Sequence, residues 1–569
     1  MQITIKVNQQ NYTLSPGRYN TFEDFYVDVQ LEEILGGQRI SLYLHPKTDI
    51  VLNEAALQLP LPAQAGMQFF ANGYQSWSES RLLSVFAEIP RLRRIARSRL
   101  QYSGDEWIGG IRRGKGNLHA WNYTYLQGIE PGNPDTVLFA GSLNERSAFT
   151  IFQYDAAAGQ LQVRKDIENL QLSHSYPLLD CWIVRGKTDA LSSYFDAWTQ
   201  LAETARSTQG KTLGWTSWYR HFNQISAEKI QHDLDAVAQS ELPFDWFQVD
   251  DGWQTAVGDW FSTKPEFPGG MAAIAAKIRQ HQLKPGLWIA PFVAAAHSEQ
   301  VRKHPEWLLK DKNGKVLRAG WNPLWGGWFY AFDFYHPGFR DYMSGVFHVV
   351  LEKWGYELLK LDFLYAAALA PPPNKTRGQV MSEAMEWLRA LCGRATLLAC
   401  GAPLGACLGE VELYRTGADT HLRWEHQLLA FLRHRERVST LSALRNTLSR
   451  WQLDAQVFRN DPDVFLLRNE GQHLNVIQQN TLLTLNALLG GALVTSDDVS
   501  AYTPEQRCEL LEALDWQQAK VEQVQALRQD IFAIKGIHRG QSFTFLCNLS
   551  AKAQVIDQIP LEPFETLPI

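Results

Sequence analysis

The chain has 569 residues, more than one hydrophobic core normally organises, so two to four domains are expected. Hydrophobic residues make up 45% and charged residues 20% of the chain, which is ordinary for a globular protein, and the net charge of -6 gives no sign of a nucleic-acid-binding surface. The 20 tryptophans are unusual, because flat aromatic rings can either fill cores or bind the C–H faces of sugars.

The sequence predicts neither a membrane protein nor a metalloprotein. No stretch approaches the roughly 18 uninterrupted apolar residues of a membrane helix, and the alternating start of the chain lacks the basic and apolar regions of a signal peptide. The six cysteines form no CxxC pair, so we expect no zinc site, no disulfide scaffold and no cofactor. A cytoplasmic protein with free thiols is the simplest interpretation. The sequence does not define an oligomeric state.

Residues 1–195 carry short alternating runs broken by turn residues, a pattern that predicts an antiparallel β-sandwich. Examples are the runs 3–7, 40–44 and 148–152. Within this region, the turn-forming pair at 72–73 would place Tyr74 and Trp77 on a loop. Aromatic residues on a loop tip indicate binding, although burial beneath the loop is an equally good interpretation. The basic cluster at 91–99 predicts a solvated face or an interface.

Residues 196–510 alternate apolar strands with helical stretches, and eight such strands predict a (β/α)8 barrel, the TIM-barrel fold. The predicted strands are 213–218, 244–250, 285–290, 356–362, 396–400, 411–415, 464–467 and 492–496. The predicted helices are 226–240, 269–282, 338–354, 378–393, 424–448 and 476–489. A doubly wound open sheet is the alternative, but no Gly-rich phosphate loop follows any strand. Residues 511–569 return to alternating runs and predict a small C-terminal β-domain, which gives a multidomain α/β and β protein.

Charged and aromatic side chains, and one thiol, lie where most of the predicted barrel strands end. They are Trp218, Asp250, Asp251, Trp288, Lys360, Asp362, Cys400 and Arg415, followed by Asp419. The active site of such a barrel lies at the C-terminal ends of its strands, so these side chains are expected to line one pocket. Several carboxylates without a His triad, a phosphate loop or metal-spaced His favour glycoside hydrolysis, in which two carboxyl groups flank the scissile bond.

Asp362 is the better candidate for the nucleophile, because Lys360 lies two residues away on the same side of the strand and would keep it ionised. A structural ion pair at a strand end is the alternative interpretation of this pair. Asp419, four residues after Arg415, could retain its proton until the leaving oxygen arrives.

The other strand-end residues suggest a sugar pocket. Asp250 and Asp251 would accept hydrogen bonds from hydroxyl groups, Lys360 and Arg415 would donate them, and Trp218 and Trp288 would form apolar walls. Two further acidic motifs have simpler interpretations. Residues 460–463 (Asn-Asp-Pro-Asp) are typical of a turn that shapes a barrel loop, and Asp497 and Asp498 are typical of a helix cap.

Seven motifs, spread in order over most of the chain, resemble those of the α-galactosidases of glycoside hydrolase family 36. They are the segments 72–78, 214–219, 250–253, 360–363, 415–419, 460–463 and 496–498. The resemblance implies a β-sandwich, a central barrel and a C-terminal β-domain. It also implies a retaining double displacement with Asp362 as nucleophile and Asp419 as acid/base. Retention predicts a separation of about 5–5.5 Å between these two carboxyl groups.

The resemblance further implies which residues bind galactose: Asp250, Asp251, Trp288, Lys360, Cys400 and Arg415, with Trp77 reaching over the barrel mouth. It predicts an exo-acting α-galactosidase that hydrolyses small oligosaccharides such as raffinose or melibiose. The alternatives are an α-N-acetylgalactosaminidase, an enzyme that transfers galactose to a sugar, and a non-catalytic carbohydrate-binding protein. Ala418, where the family usually has Pro, and the Ala/Pro-rich loop 366–373 depart from the family pattern on the leaving-group side.

Overall fold

Two antiparallel sheets form the N-terminal part of the protein, whose computed structural model describes residues 1–186, 190–204, 207 and 209–569. The first sheet has the order Gln10–Leu14, Gln2–Val7, Ile50–Pro60, Gln160–Lys165, Thr150–Asp155 and Asn117–Trp121, and Leu170–Leu172 also pairs with Ile50–Pro60. The second has the order Arg18–Thr21, Phe25–Ile34, Gly37–Pro46, Tyr176–Gly186, Val137–Ser142, Tyr123–Gln127, Gln68–Ala71 and Arg81–Ser84. Alternate apolar residues of both sheets, such as Ile5 and Val27, share one buried core, as the period-2 pattern predicts.

A parallel sheet follows and carries the predicted barrel strands. In spatial order its members are Thr212–Thr216, Trp246–Val249, Lys284–Ile289, Leu358–Leu361, Thr396–Ala399, Leu413–Arg415 and Arg459–Asp461, and on the other side of the first strand lie Ala492–Thr495 and Val464–Phe465. The two ends of this sheet are separated in sequence only by Pro462 and Asp463. They are therefore two halves of one seventh strand, and the sheet closes on itself as the barrel fold requires. The predicted fold class is confirmed.

The segment 460–463 is thus part of the seventh strand, and its interpretation as a loop-shaping turn was wrong. Proline cannot donate a ladder hydrogen bond, so Pro462 interrupts the strand without ending it. Asp463 then adopts a left-handed backbone conformation with φ 76°, which Asp tolerates better than most residues. This break lets one half pair with the sixth strand and the other half with the eighth.

Helices follow the barrel strands along the chain. They are Trp218–His221, Ala227–Gln239, Gly270–Gln280, Glu299–Lys303, Pro337–His348 (continued by a π-turn at Val349–Lys353), Arg377–Cys392, Leu404–Cys407, Gln427–Phe431, Thr440–Arg450, Val476–Leu489 and Pro504–Trp516. The predicted helix 424–448 is therefore two helices. Between them, Arg435 and Glu436 are buried and bond to Asp105 and Ser78 of the N-terminal part, which holds the chain out of a helical path.

Three further units complete the fold. A three-stranded antiparallel sheet is inserted after the third barrel strand; its strands are Val293–Ala295, Gly327–Ala331 and Arg318–Asn322 in spatial order. Near the C-terminus, Lys520–Arg528, Ile531–His538, Gln541–Asn548 and Thr566–Pro568 form one sheet, and Gln554–Ile556 pairs with Ile559–Leu561. Helices Arg94–Leu100 and Ala190–Leu201 belong to the N-terminal half.

The domain limits at 195 and 510 remain predictions. Residue 195 lies in helix Ala190–Leu201 and residue 510 in helix Pro504–Trp516, which the sequence reasoning did not identify. Within the described ranges, no helix is both long and apolar enough to cross a membrane.

Candidate active site

The carboxylate of Asp362 lies directly after the fourth barrel strand, and both of its oxygens accept hydrogen bonds. Trp288 Nε1–H donates to Oδ2 at 2.9 Å, and the backbone N–H of Phe363 donates to Oδ1 at 2.9 Å. Each oxygen keeps a free lone pair while the carboxylate is fixed in orientation. Trp288, expected as an apolar wall, is only 2% exposed and acts here as a donor to Asp362.

Lys360 forms its direct ion pair with Asp250, not with Asp362. Its Nζ lies 2.8 Å from Asp250 Oδ2, and both residues are buried. Burial acts to lower the pKa of Lys360, but the charge of Asp250 outweighs it and raises that pKa above its usual value. Gln248 Nε2–H also donates to Asp250 Oδ2, at 2.8 Å. The pair spans the second and fourth strands, so it holds a cation and a carboxylate at one end of the barrel.

Asp251 is held by two neutral donors. Trp325 Nε1–H donates to Oδ2 at 2.7 Å, and Gln254 Nε2–H donates to Oδ1 at 2.6 Å. Burial and the neighbouring charge of Asp250 raise the pKa of Asp251 to about 6, although both hydrogen bonds act to lower it. This carboxylate therefore titrates closer to neutral pH than an ordinary Asp.

Arg415, at the end of the sixth strand, is surrounded by three carboxylates. Its Nε–H donates to Asp461 at 2.9 Å, Nη1–H donates to Asp419 at 3.0 Å, and Nη2 lies 3.1 Å from Asp463. Asp463 also accepts hydrogen bonds from the Tyr219 hydroxyl and from the backbone N–H of Thr420. These three carboxylates fix the guanidinium of Arg415, and one of them, Asp419, is the candidate acid.

Asp419 is the most exposed carboxylate of this group, with 34% of its side chain accessible. Desolvation in its protein surroundings and the charge of Asp463 raise its pKa to about 7, against the opposing effects of Arg415 and Lys360. Asp362 adds to the upward shift, because a second negative charge nearby disfavours ionisation. An acid with this pKa can hold a proton near neutral pH.

Trp77 reaches the barrel from the N-terminal part of the chain. Its Nε1–H donates to the Sγ of Cys400 at 3.2 Å, and its ring packs edge-on against Phe363 at 5.0 Å between centroids. The loop is fixed by Arg450, whose guanidinium donates to the backbone carbonyl of Ser76 at 2.8 Å. Trp77 therefore lies beside the residue that follows Asp362.

Gly401 makes the close approach of Trp77 possible. A Cβ at this position would lie 2.8 Å from the Trp77 ring, and the backbone has φ +63°. Because glycine has no Cβ, it can adopt this left-handed backbone conformation and lie this close to the Trp77 ring without a steric clash. Burial raises the pKa of the adjacent Cys400 thiol well above its usual value, so the thiol stays protonated.

Trp218 lies at the start of the short helix that follows the first strand and is half-buried. Its ring packs edge-on against Phe222 at 5.4 Å, and the next residue, Tyr219, bonds to Asp463. The structure thus places every strand-end residue predicted above at the C-terminal end of the barrel. Some of these residues are linked to the others only through a third residue.

Several residues that shape this site were not expected from the sequence. Trp325 lies in a turn between two strands of the inserted antiparallel sheet, where no barrel strand ends, so the strand-end rule could not find it. Asp461 and Asp463 were assigned to a turn, yet both are buried beside Arg415. The clustering of three Asp residues after the sixth strand and in the seventh was the available signal. Asp498 does cap a short 3-10 helix, as predicted, by accepting from the backbone N–H of Ser500, but Asp497 is no cap: it is buried and accepts from the backbone N–H groups of Leu467 and Arg468.

Comparison with known proteins gives the site a family context. The family model described as Melibiase matches residues 188–383. The α-galactosidase TtGalA of Thermus thermophilus, solved in complex with p-nitrophenyl α-D-galactopyranoside, has a TM-score of 0.71 at 28% identity and covers 95% of this chain and 98% of its own. The glycoside hydrolase family 36 α-galactosidase AgaA of Geobacillus stearothermophilus shares the fold, with a TM-score of 0.67 at 13% identity over 98% of this chain and 82% of its own.

The chain is thus similar to α-galactosidases: its fold matches those of TtGalA and AgaA, and residues 188–383 match the Melibiase family model. In a local alignment AgaA is 29% identical over 190 residues, which is 32% of this chain and 25% of AgaA. An A type blood α-D-galactosamine galactosaminidase of Flavonifractor plautii is 26% identical over 162 residues, which is 27% of this chain and 14% of that protein. The aligned segments thus span a quarter or less of these two curated relatives.

Proposed function

We propose that this protein is a retaining, exo-acting α-galactosidase that releases terminal α-linked galactose from small oligosaccharides. The relationship to family 36 α-galactosidases supports the glycosidase class. The complexes of TtGalA with p-nitrophenyl α-galactoside and with stachyose support a small α-galactoside as the substrate.

The observation that carries the proposal is the contrast between two carboxylates at the same end of the barrel. Asp362 accepts a hydrogen bond on each oxygen, which holds its carboxylate in the fixed orientation that a nucleophile needs. Asp419 has a pKa of about 7 and can keep the proton that a general acid needs. A pair of carboxyl groups whose surroundings divide these roles is what glycoside hydrolysis requires.

In the first step of the proposed reaction, an oxygen of Asp362 attacks the anomeric carbon from the β face. The bond between that carbon and the glycosidic oxygen breaks, and Asp419 transfers its proton to the departing oxygen. Galactose is then held as a β-linked ester on Asp362. Trp288 and the backbone N–H of Phe363 keep the attacking carboxylate oriented throughout.

In the second step, the ionised Asp419 removes a proton from water as that water attacks the anomeric carbon. The ester bond to Asp362 breaks, its carboxylate is restored, and α-galactose leaves. Asp419 ends protonated, ready for another cycle. Arg415 stays bonded to Asp419 and limits how far its pKa can rise.

Replacing Asp250 by Asn tests the proposed sugar-binding side of the pocket. The substitution removes the charge that pairs with Lys360 and would accept a sugar hydroxyl, so KM should rise by about tenfold or more, since hydrogen bonds to charged groups contribute about 1.5–3 kcal/mol. Steady-state kinetics with p-nitrophenyl α-galactoside measures this. Asp166→Asn is the matched control, because Asp166 is also buried and paired with a cation, Arg377, but lies outside the pocket. An unchanged KM for Asp250→Asn would contradict the assignment.

The two raised pKa values predict a bell-shaped dependence of kcat/KM on pH. Asp251 must be ionised to accept a hydroxyl proton, so activity falls as pH drops below about 6. Asp419 must be protonated to act as the acid, so activity also falls as pH rises above about 7. Melibiose is the suitable substrate, because its leaving group needs the acid. Persistence of the alkaline limb in Asp419→Ala would contradict this assignment.

A panel of p-nitrophenyl glycosides tests the proposed specificity directly. We expect α-galactoside to be hydrolysed far faster than α-N-acetylgalactosaminide or α-glucoside. The relationship to a galactosaminidase makes a galactosamine-type substrate the second candidate, and preference for the α-N-acetylgalactosaminide would favour it. Adding free melibiose and following product masses separates hydrolysis from galactosyl transfer. Binding of α-galactosides with no turnover of any substrate would point to a carbohydrate-binding protein.

We also propose a cytoplasmic location. All six cysteines are unpaired and five of them are buried, which suits a reducing compartment. Fractionation of the native source, with detection by antibody, tests this proposal. Recovery of the protein outside the cytoplasmic fraction would contradict it.

A further inference from the structure

The inserted antiparallel sheet brings one side chain into the barrel mouth. Residues 322–327 (Asn-Pro-Leu-Trp-Gly-Gly) form the turn between its two longer strands, and the Asn322 side chain caps that turn by accepting from the backbone N–H of Leu324. Leu324 is 45% exposed, whereas the next residue, Trp325, is only 5% exposed. The turn thus presents Leu324 to solvent and inserts Trp325 into the protein.

Trp325 contacts both sides of the proposed sugar pocket. Its Nε1–H donates to Asp251 at 2.7 Å. Its ring packs against Phe363 at 4.8 Å and edge-on against Trp288 at 6.1 Å between centroids. Phe363 and Trp288 are the two residues that donate hydrogen bonds to Asp362. One indole therefore connects the carboxylate proposed to bind the sugar with the donors that orient the proposed nucleophile.

We infer that the inserted sheet is a specificity element and that Trp325 is a positioning residue that holds Asp251 in the geometry and the ionised state needed to accept a sugar hydroxyl. This inference rests on the proposed function. Trp325 and Gln254 each hold one oxygen of Asp251, so the remaining lone pairs point in fixed directions. A carboxylate fixed in this way distinguishes a hydroxyl in the right position from one that is displaced or absent.

The charged surroundings of Asp251 explain why a neutral donor matters. Asp250 disfavours its ionisation, and Lys264 favours it. Lys360, the nearest cation on the fourth strand, is already paired with Asp250. Burial also disfavours the ionised form, so the Trp325 hydrogen bond is a main stabiliser of the charge on Asp251.

Trp325→Phe is the direct test, because it keeps an aromatic ring in the cluster and removes only the donor. The pKa of Asp251 should then rise above about 6. We expect KM for p-nitrophenyl α-galactoside to increase about tenfold at pH 6, because Asp251 would be mostly protonated in the variant at that pH, whereas about half of it is ionised in the wild type. The increase should shrink at pH 8, where Asp251 is ionised in both proteins, and kcat should change less than KM.

Trp321→Phe is the matched control, because Trp321 lies on the same inserted sheet but packs against Arg99. It should leave KM unchanged at both pH values. Gln254→Met, which removes the other neutral donor to Asp251, is the second variant and should raise KM with the same pH dependence. In an Asp251→Asn background, Trp325→Phe should have little further effect, because the two substitutions act on one interaction.

These results separate positioning from simple packing. A KM that is unchanged, or that rises equally at every pH, would overturn the inference, and so would full additivity of Trp325→Phe with Asp251→Asn. If Trp325→Phe fails to fold, Gln254→Met carries the same test. An inactive wild-type protein would instead overturn the proposed function. Binding of galactose to Asp362→Ala, with and without Trp325→Phe, measured by calorimetry at pH 6 and 8, tests Trp325 without catalysis.

Discussion

Asp362→Ala is expected to lower kcat for every α-galactoside by about three orders of magnitude or more, because the variant lacks the carboxylate proposed to form the glycosyl ester. Trp288 and the backbone N–H of Phe363 lose their acceptor in this variant, and each unsatisfied buried donor costs about 1–3 kcal/mol. Activity should therefore be compared at a temperature where circular dichroism shows the variant to be folded.

Asp362→Asn is the matched variant for that experiment. The amide oxygen can still accept a hydrogen bond from Trp288, so stability should be closer to that of the wild type, yet the nucleophile is gone. Both variants should be inactive, and Asp166→Asn should remain active. Wild-type-like kcat in folded Asp362→Asn would remove Asp362 from the reaction.

Asp419→Ala is expected to affect substrates according to their leaving groups. Melibiose needs a protonated leaving oxygen, so its kcat/KM should fall by about 10²–10⁴-fold, the usual contribution of general acid catalysis. p-Nitrophenolate leaves without protonation, so kcat/KM for the p-nitrophenyl substrate should fall much less. The loss of the base should also slow hydrolysis of the ester, so a burst of p-nitrophenol should precede a slow steady state.

Thr440→Ala provides a comparison for Asp419→Ala, because Thr440, the first residue of helix Thr440–Arg450, contacts the loop that carries Asp419. Its hydroxyl donates to the backbone carbonyls of His421 and Arg423, which helps to fix the loop that carries Asp419. A loop that has merely moved should lower activity on both substrates by similar factors. An equal loss on melibiose and on p-nitrophenyl α-galactoside in Asp419→Ala would therefore contradict the acid role.

The sequence was sufficient to find the barrel and the side chains at its strand ends. Apolar runs place Asp250 and Asp362 directly after strands, and barrel topology then brings those strand ends together. The pairing of Lys360 was not predictable in the same way. Its partner is Asp250, 110 positions away, because the third strand lies between their two strands and both side chains reach the same end of the barrel.

Trp325 and Asp463 could not be assigned from sequence for a different reason. Trp325 reaches the site through a turn whose path depends on the whole inserted sheet. Asp463 follows a proline that usually ends a strand, and only the closure of the barrel shows that the strand continues. Local sequence patterns therefore predicted the strands and helices. The bonding partners of the site residues depend on contacts between elements that are far apart in sequence.

The configuration of the product formed with azide tests the two catalytic assignments most directly. Azide is a small nucleophile that needs no general base, and it can occupy the space left by a removed carboxylate. With p-nitrophenyl α-galactoside, Asp362→Ala should yield β-galactosyl azide, because azide would attack from the face that Asp362 occupies. Asp419→Ala should yield α-galactosyl azide, because azide would attack the ester on Asp362 from the opposite face. NMR of the two products should show these opposite configurations; α-galactosyl azide from Asp362→Ala, or β-galactosyl azide from Asp419→Ala, would contradict the account.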